Sequence, residues 1–142
     1  MIVVPFKPEH LDHLPLQAKQ VCAREYIHND PAYIHALVQY GDAYTVLVDG
    51  DPILCAGVMK FGDGRGSAWA LFAELSGKHF VRLCRYMKRY LECSDLRRIE
   101  VTVDVMFYEA ERLALLMGFE KEGVMRHYGR DGHDYYMMGR VF

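Results

Sequence analysis

The sequence predicts a single α+β domain: one mixed α/β sheet, mostly antiparallel, with helices packed over it. Three observations carry this reading. Asp49-Gly50 joins two apolar, β-rich runs, a strong hairpin signal. An amphipathic helix lies between two further strand patterns, the arrangement of a crossover that sets strands parallel. The glycine-rich tetrapeptide Gly129-Arg130-Asp131-Gly132 folds the last two strand patterns into a closing hairpin.

The elements follow in order. The first forty residues read as helical but broken: Pro8 and Pro31 suit first helical turns, and Asp30 is a candidate N-cap. Ile34, Leu37 and Val38 recur at helical spacing until Gly41. Residues 43–48 and 53–59 are the first two strands, and a turn at Gly62-Asp63-Gly64-Arg65-Gly66 leads into a third at 67–75 carrying Trp69. Residues 79–92 place Phe80, Leu83, Cys84, Met87 and Leu91 on one helical face, with Arg82, Arg85, Lys88 and Arg89 largely off it. Ile99, Val101, Val103 and Val105 alternate with Glu100, Thr102 and Asp104, the clearest strand pattern in the chain. A helix over 107–117 stops at Gly118, and strands at 123–128 and 134–141 complete the order.

Length and composition fit one domain over residues 1–142. Apolar residues make up 51% and charged residues 25%, an ordinary globular balance. The formal net charge of −2 gives no general attraction to nucleic acid or an anionic membrane, so neither is expected as a partner. No apolar run reaches membrane-spanning length, and the first residues lack a basic leader. The four cysteines, Cys22, Cys55, Cys84 and Cys93, lack CxxC spacing and read as reduced, mostly buried thiols in a cytoplasmic setting. His10 and His13 form an HxxH without a second ligand pair, so no metal site is expected.

The segment from Leu113 to Arg126, Leu-Ala-Leu-Leu-Met-Gly-Phe-Glu-Lys-Glu-Gly-Val-Met-Arg, ends a helix, turns at Gly118-Phe119 and restarts as a strand near Glu122-Gly123. With the element order, it resembles the GCN5-related N-acetyltransferase (GNAT) superfamily from about Ala43 to the C-terminus. Gly66-Ser67-Ala68-Trp69-Ala70-Leu71, Arg98-Ile99-Glu100 and the tail from Met125 to Tyr135 are similar to acetyltransferase-like proteins of tailed phages, among them a podophage internal virion protein.

The resemblance implies a splayed parallel pair of strands, 67–75 and 98–105, with acetyl-CoA between them. It puts the pyrophosphate at the start of the crossover helix, in a loop of pattern Arg/Gln-x-x-Gly-x-Gly/Ala. Here that loop is Glu74-Leu75-Ser76-Gly77-Lys78-His79, which keeps one glycine, one hydroxyl and one lysine. Leu75, Ser76, Gly77 and Lys78 are therefore the cofactor-binding candidates; the alternative is an ordinary turn with Ser76 as N-cap. Gly64-Arg65-Gly66-Ser67-Ala68 resembles the missing loop but precedes a strand, so it reads as a hairpin turn.

The implied chemistry also needs a base for the attacking amine and an acid for the leaving thiolate. Glu100 and Glu74 are the candidate bases, Glu100 alternatively facing solvent or Arg98. The family's tyrosine acid falls at Ala114 and its asparagine at about Phe107; Tyr108 is a candidate substitute acid, the alternative for one of ten tyrosines being core or surface packing. The last hairpin (Arg126, His127, Tyr128, Arg130, Asp131, His133, Asp134, Tyr135, Tyr136) lines a cleft or forms a wet strand face. Arg82, Arg85, Lys88, Arg89, Arg97 and Arg98 form a basic patch that CoA phosphate could meet. Two functions follow: acetyl transfer to the amine of a small molecule or protein, or a non-catalytic phage component binding a phage or host protein in host cytoplasm or virion.

Overall fold

The computed structural model describes residues 1–21, 29–74 and 77–142. Among them, seven strands form one sheet in the order β1-β2-β3-β4-β5-β7-β6. The strands are β1 (Ile2–Pro5), β2 (Gly41–Val48), β3 (Asp51–Lys60), β4 (Arg65–Phe72), β5 (Arg98–Asp104), β6 (Glu120–Met125) and β7 (Tyr135–Val141). Described in full beside them are the α-helices α1 (Pro31–Gln39), α2 (Gly77–Glu92) and α3 (Tyr108–Leu116). Every neighbouring pair is antiparallel except β4 and β5, which run parallel around α2.

The local chemistry explains most boundaries. Asp49 and Gly50 both adopt positive φ, 51° and 86°, the geometry that lets a two-residue turn follow the twist of β2 and β3. Asp30 caps α1 by accepting the Tyr33 N–H at 3.1 Å, with Pro31 in the first turn. Gly118, at φ 89°, ends α3, and the buried Phe119 N–H donates back to Ala114 C=O at 3.0 Å.

The N-terminal reading is corrected by the structure. Residues 2–5 are not part of a broken helix but an edge strand, paired with β2 from Ile2↔Leu47 to Pro5↔Tyr44. Three β-branched residues favour that strand, and Pro5 is tolerated because the strand lies at the sheet edge. Among the described residues that follow, 3-10 turns lie at Pro8–His13 and Ala18–Gln20, while the part of the helical expectation on residues 22–28 lies outside the described residues. The third and sixth strands also begin earlier than the sequence suggests, at Arg65 and Glu120.

The sheet separates two apolar layers. On one face, Cys84 and Leu91 of α2 and Ala114 of α3 pack with Val58, Ile99, Val103 and Met138. Leu83 extends this face to Val46, Leu54 and Phe72. On the other, Phe6, Leu11 and Leu14 pack with Cys55, Leu71 and Ala73, flanked by Tyr33 and Ile34 of α1. Among the described residues no helix is long and apolar enough to cross a membrane.

Candidate active site

The parallel pair departs from a regular ladder. β4 and β5 match only at Arg65↔Arg98, Gly66↔Ile99 and Ser67↔Glu100; residues 68–72 and 101–104 have no register partners across the pair. The strands thus join at their starts and part towards their C-terminal ends. Just past the end of β4, Ala73 N–H donates to Ile53 C=O on the β3 side at 3.0 Å. By alternation, Ala68, Ala70 and Phe72 aim their backbone groups at the gap.

At the wide end, β4 leads through Glu74 and residues 75–76 into α2. Leu75 and Ser76 lie outside the described residues, so their cofactor roles gain no geometry. Gly77 opens α2, and a Cβ built on it meets nothing within 4 Å. Lys78 follows on the exposed side, and the buried Nδ1 of His79 has no hydrogen-bond partner among the described residues. The first turn of a helix presents backbone N–H groups without intrahelical partners, and Lys78 has no ion pair among the described residues, so this end suits phosphate oxygens. Further along α2, Arg82, Arg85, Lys88 and Arg89 carry no ion pair among the described residues.

The sequence grouped Arg97 and Arg98 with those cations, and the structure separates them. Arg98 donates to Glu100 from Nε at 2.8 Å and to Glu122 from Nη1 at 2.8 Å. Arg97 donates to the Asp63 carbonyl. The two carboxylates hold the Arg98 guanidinium more firmly protonated than usual, and Arg98 holds Glu122 below the ordinary carboxylate range.

The three catalytic candidates occupy different places. Glu100 stands at the last joined register of β4 and β5, between the Arg98 and Arg65 guanidinium groups at 2.8 and 3.7 Å. Its carboxylate is committed to an ion network at the closed end of the gap. Glu74 is exposed at the wide end, beside the start of α2, with no ion pair among the described residues. Tyr108 begins α3, just after β5, and is 61% exposed. Ala114, which the sequence resemblance aligns with a tyrosine, is buried in the core between α3 and the sheet.

The sequence reading missed a third wall. The Ala18–Gln20 turn lies across the wide end of the gap. Gln20 Nε2 donates to Ala70 C=O at 3.0 Å, and Phe72 N–H donates to Gln20 Oε1 at 2.8 Å. Gln17 N–H donates to Phe72 C=O at 3.3 Å, and Leu16 bridges to Ala73. On the far side, Lys19 Nζ pairs with Glu109 Oε2 at 3.0 Å and sits 5.3 and 5.9 Å from the ring centres of Phe107 and Tyr108. One short turn therefore touches both walls. No periodicity marks Gln17-Ala18-Lys19-Gln20 in the sequence, because the contacts run from side chains to a strand's backbone.

Comparison of the whole chain with solved structures decides the fold. A spermidine N-acetyltransferase SpeG chimera from Vibrio cholerae and hSSAT superposes with a TM-score of 0.70 at 16% identity, covering 99% of this chain and 94% of that one. Ard1 from Thermoplasma volcanium gives 0.72 at 14%, covering 99% and 96%. An acetyltransferase of the GNAT family from Streptococcus pneumoniae gives 0.67 at 13%, covering 99% and 98%. The chain has the GNAT acetyltransferase fold. No protein-family model matches the sequence, and no curated protein matches it. Within the GNAT fold, the parted strands and the α2 terminus lie next to each other, as the sequence resemblance implies.

At the opposite end of β5 from its join with β4, the last hairpin adds a polar cluster. His133 Nδ1 lies 2.7 Å from Asp104 Oδ2 and 3.3 Å from Asp131 Oδ2, and the hydrogen bond to Asp104 raises the His133 pKa. Asp134 accepts the His127 N–H at 3.0 Å. These hydrogen bonds fix the hairpin tip against β5.

Proposed function

We propose that the protein is an acetyl-CoA-dependent N-acetyltransferase. The observation that carries this reading is the β4–β5 pair, joined for three registers and then parted, with the start of α2 directly beyond it. Bound acetyl-CoA supplies a thioester carbonyl open to attack by an amine. Residues 75 and 76 with Gly77 and Lys78 take the pyrophosphate, the glycine leaving room for close approach. Glu74 accepts the amine proton through water, since its carboxylate is exposed and has no ion pair among the described residues, where Glu100 is held by two arginines. Tyr108, exposed at the start of α3, returns a proton to the leaving thiolate. The acceptor is an amine of a small molecule or protein.

A calorimetric titration with acetyl-CoA tests this, beside a Gly77→Trp variant and a thiol-release assay with a panel of primary amines. An added Cβ at position 77 meets no described residue within 4 Å, and an indole carried on it would stand where the phosphates would sit. Micromolar binding that this variant loses supports the reading. No binding to the parent protein at millimolar acetyl-CoA sinks it.

A second reading is supported by Ala114, whose burial at 7% exposure leaves no side-chain acid at the family's position. It is a non-catalytic protein of the tailed-phage type, binding a phage or host protein. Cofactor binding without thiol release for any amine would favour it.

A further inference from the structure

The parted edge of β4 is already occupied by a side chain. A strand edge offers N–H and C=O groups that a single amide, with its own donor and acceptor, can satisfy together. On β4 the groups at the wide end are Ala70 C=O and Phe72 N–H, and the Gln20 carboxamide meets both, donating at 3.0 Å and accepting at 2.8 Å. Its single amide behaves as one peptide unit of a missing strand. Gln17 N–H extends the contact to Phe72 C=O at 3.3 Å. Across the gap, the Lys19–Glu109 pair is exposed on both sides, so it adds little holding force.

Resting on the acetyl-CoA reading above, we infer that the Ala18–Gln20 turn is a displaceable strap. Gln20 stands in for an amide of the ligand arm and must leave β4 before that arm can pair there. The pantetheine portion of CoA carries two secondary amides, the same donor–acceptor pattern as the carboxamide it would replace. The protein that binds is therefore the minor, unstrapped form, and apparent affinity is reduced by the fraction that is unstrapped. Loss of the two Gln20 hydrogen bonds raises that fraction by roughly tenfold, the effect of one to two net hydrogen bonds.

The test compares the full-length chain with Gln20→Ala and Gln20→Met, the second keeping the side chain's length without its amide. Each is titrated with CoA and with adenosine 3′,5′-bisphosphate, which carries phosphates but no amide arm. The expected result is roughly tenfold tighter CoA binding by both variants, with bisphosphate affinity unchanged. In the parent protein, CoA should also shift the Gln20 side-chain amide resonances in a ¹H–¹⁵N spectrum towards those of a free carboxamide. If the parent binds CoA and the variants bind it equally or more weakly, the strap is overturned while the acetyl-CoA reading stands. An equal gain for the bisphosphate also overturns it, since the effect would not pass through the amide. If no form binds CoA, both readings fall. Should Gln20→Ala melt at the assay temperature, Gln20→Met decides by the same criteria.

Discussion

Thr45 Oγ1 lies 2.7 Å from Nδ1 of His10. The Lys7 N–H also donates to that nitrogen at 3.2 Å, so it is the unprotonated, accepting nitrogen and the Thr45 hydroxyl donates to it. The hydroxyl oxygen then accepts from Cys55 Sγ at 3.6 Å, completing a chain from the buried sheet to the first 3-10 turn. Thr45→Val keeps the shape but removes the hydroxyl, and thermal unfolding should show a loss of about 1–2 kcal/mol. An unchanged melting temperature would mean that water replaces the hydroxyl.

Gly57 faces the backbone of β2 closely. A Cβ there would lie 2.2 Å from the Asp42 carbonyl oxygen and 2.8 Å from Ala43 Cα. Neither atom can turn aside, so Gly57→Ala must separate β2 from β3 and should cost about 2–3 kcal/mol in urea unfolding. Gly123→Ala is the matched control, with nothing within 4 Å of the added carbon. It should change stability by less than about 0.5 kcal/mol.

The closing hairpin should depend on pH through His133. Asp104 first, then the charges of Asp104, Asp131 and Asp134, raise its folded pKa above the usual 6.5. A raised histidine pKa contributes stability that is complete below the unfolded value and disappears as pH climbs through the folded one. Proton-exchange protection at the hairpin tip, corrected for intrinsic rate, should therefore decline as pH rises from 6 through the raised value. His133→Asn should flatten that dependence, and a profile unchanged by the substitution would refute the coupling.

Thiol reactivity should follow burial. Cys55 is buried, and desolvation pushes its pKa up to about 11 despite its hydrogen bond with Thr45. Burial also raises the pKa of Cys84, whereas Cys93 is exposed at the end of α2. In a Cys22→Ser background at pH 8, a thiol reagent should modify Cys93 promptly and the other two only on unfolding. Fast labelling of Cys55 in the native protein would show that the layer of Phe6, Leu11 and Leu14 packed on it opens readily.

The fold was legible where side-chain period and turn chemistry agree. Asp49-Gly50, the valine alternation of β5 and the Gly118 stop each have a local cause, and each appears in the structure close to its expected place. β1 was not legible, because four residues before a proline carry too little pattern and its strand character comes from pairing with β2. Site residues followed the same division. Alternation puts Glu100 on the same face of β5 as Arg98, the partner the sequence offered as an alternative, but it cannot reveal that Arg65 of β4 converges on it as well. Gln20 was beyond any periodic signal, since its partners are backbone atoms fifty residues away in the chain.

A sheet that parts in its middle also acquires edges where most proteins have none. Such edges are templates for a foreign strand, and natural chains blunt them with bulges, charges or covers. Gln20 covers the β4 edge with a single amide that cannot continue a ladder, so a second molecule finds no run of free groups to extend. The turn that closes the cleft thereby also guards the free protein against edge-to-edge association. A substitution that opens the cleft should be watched for aggregation as closely as for affinity.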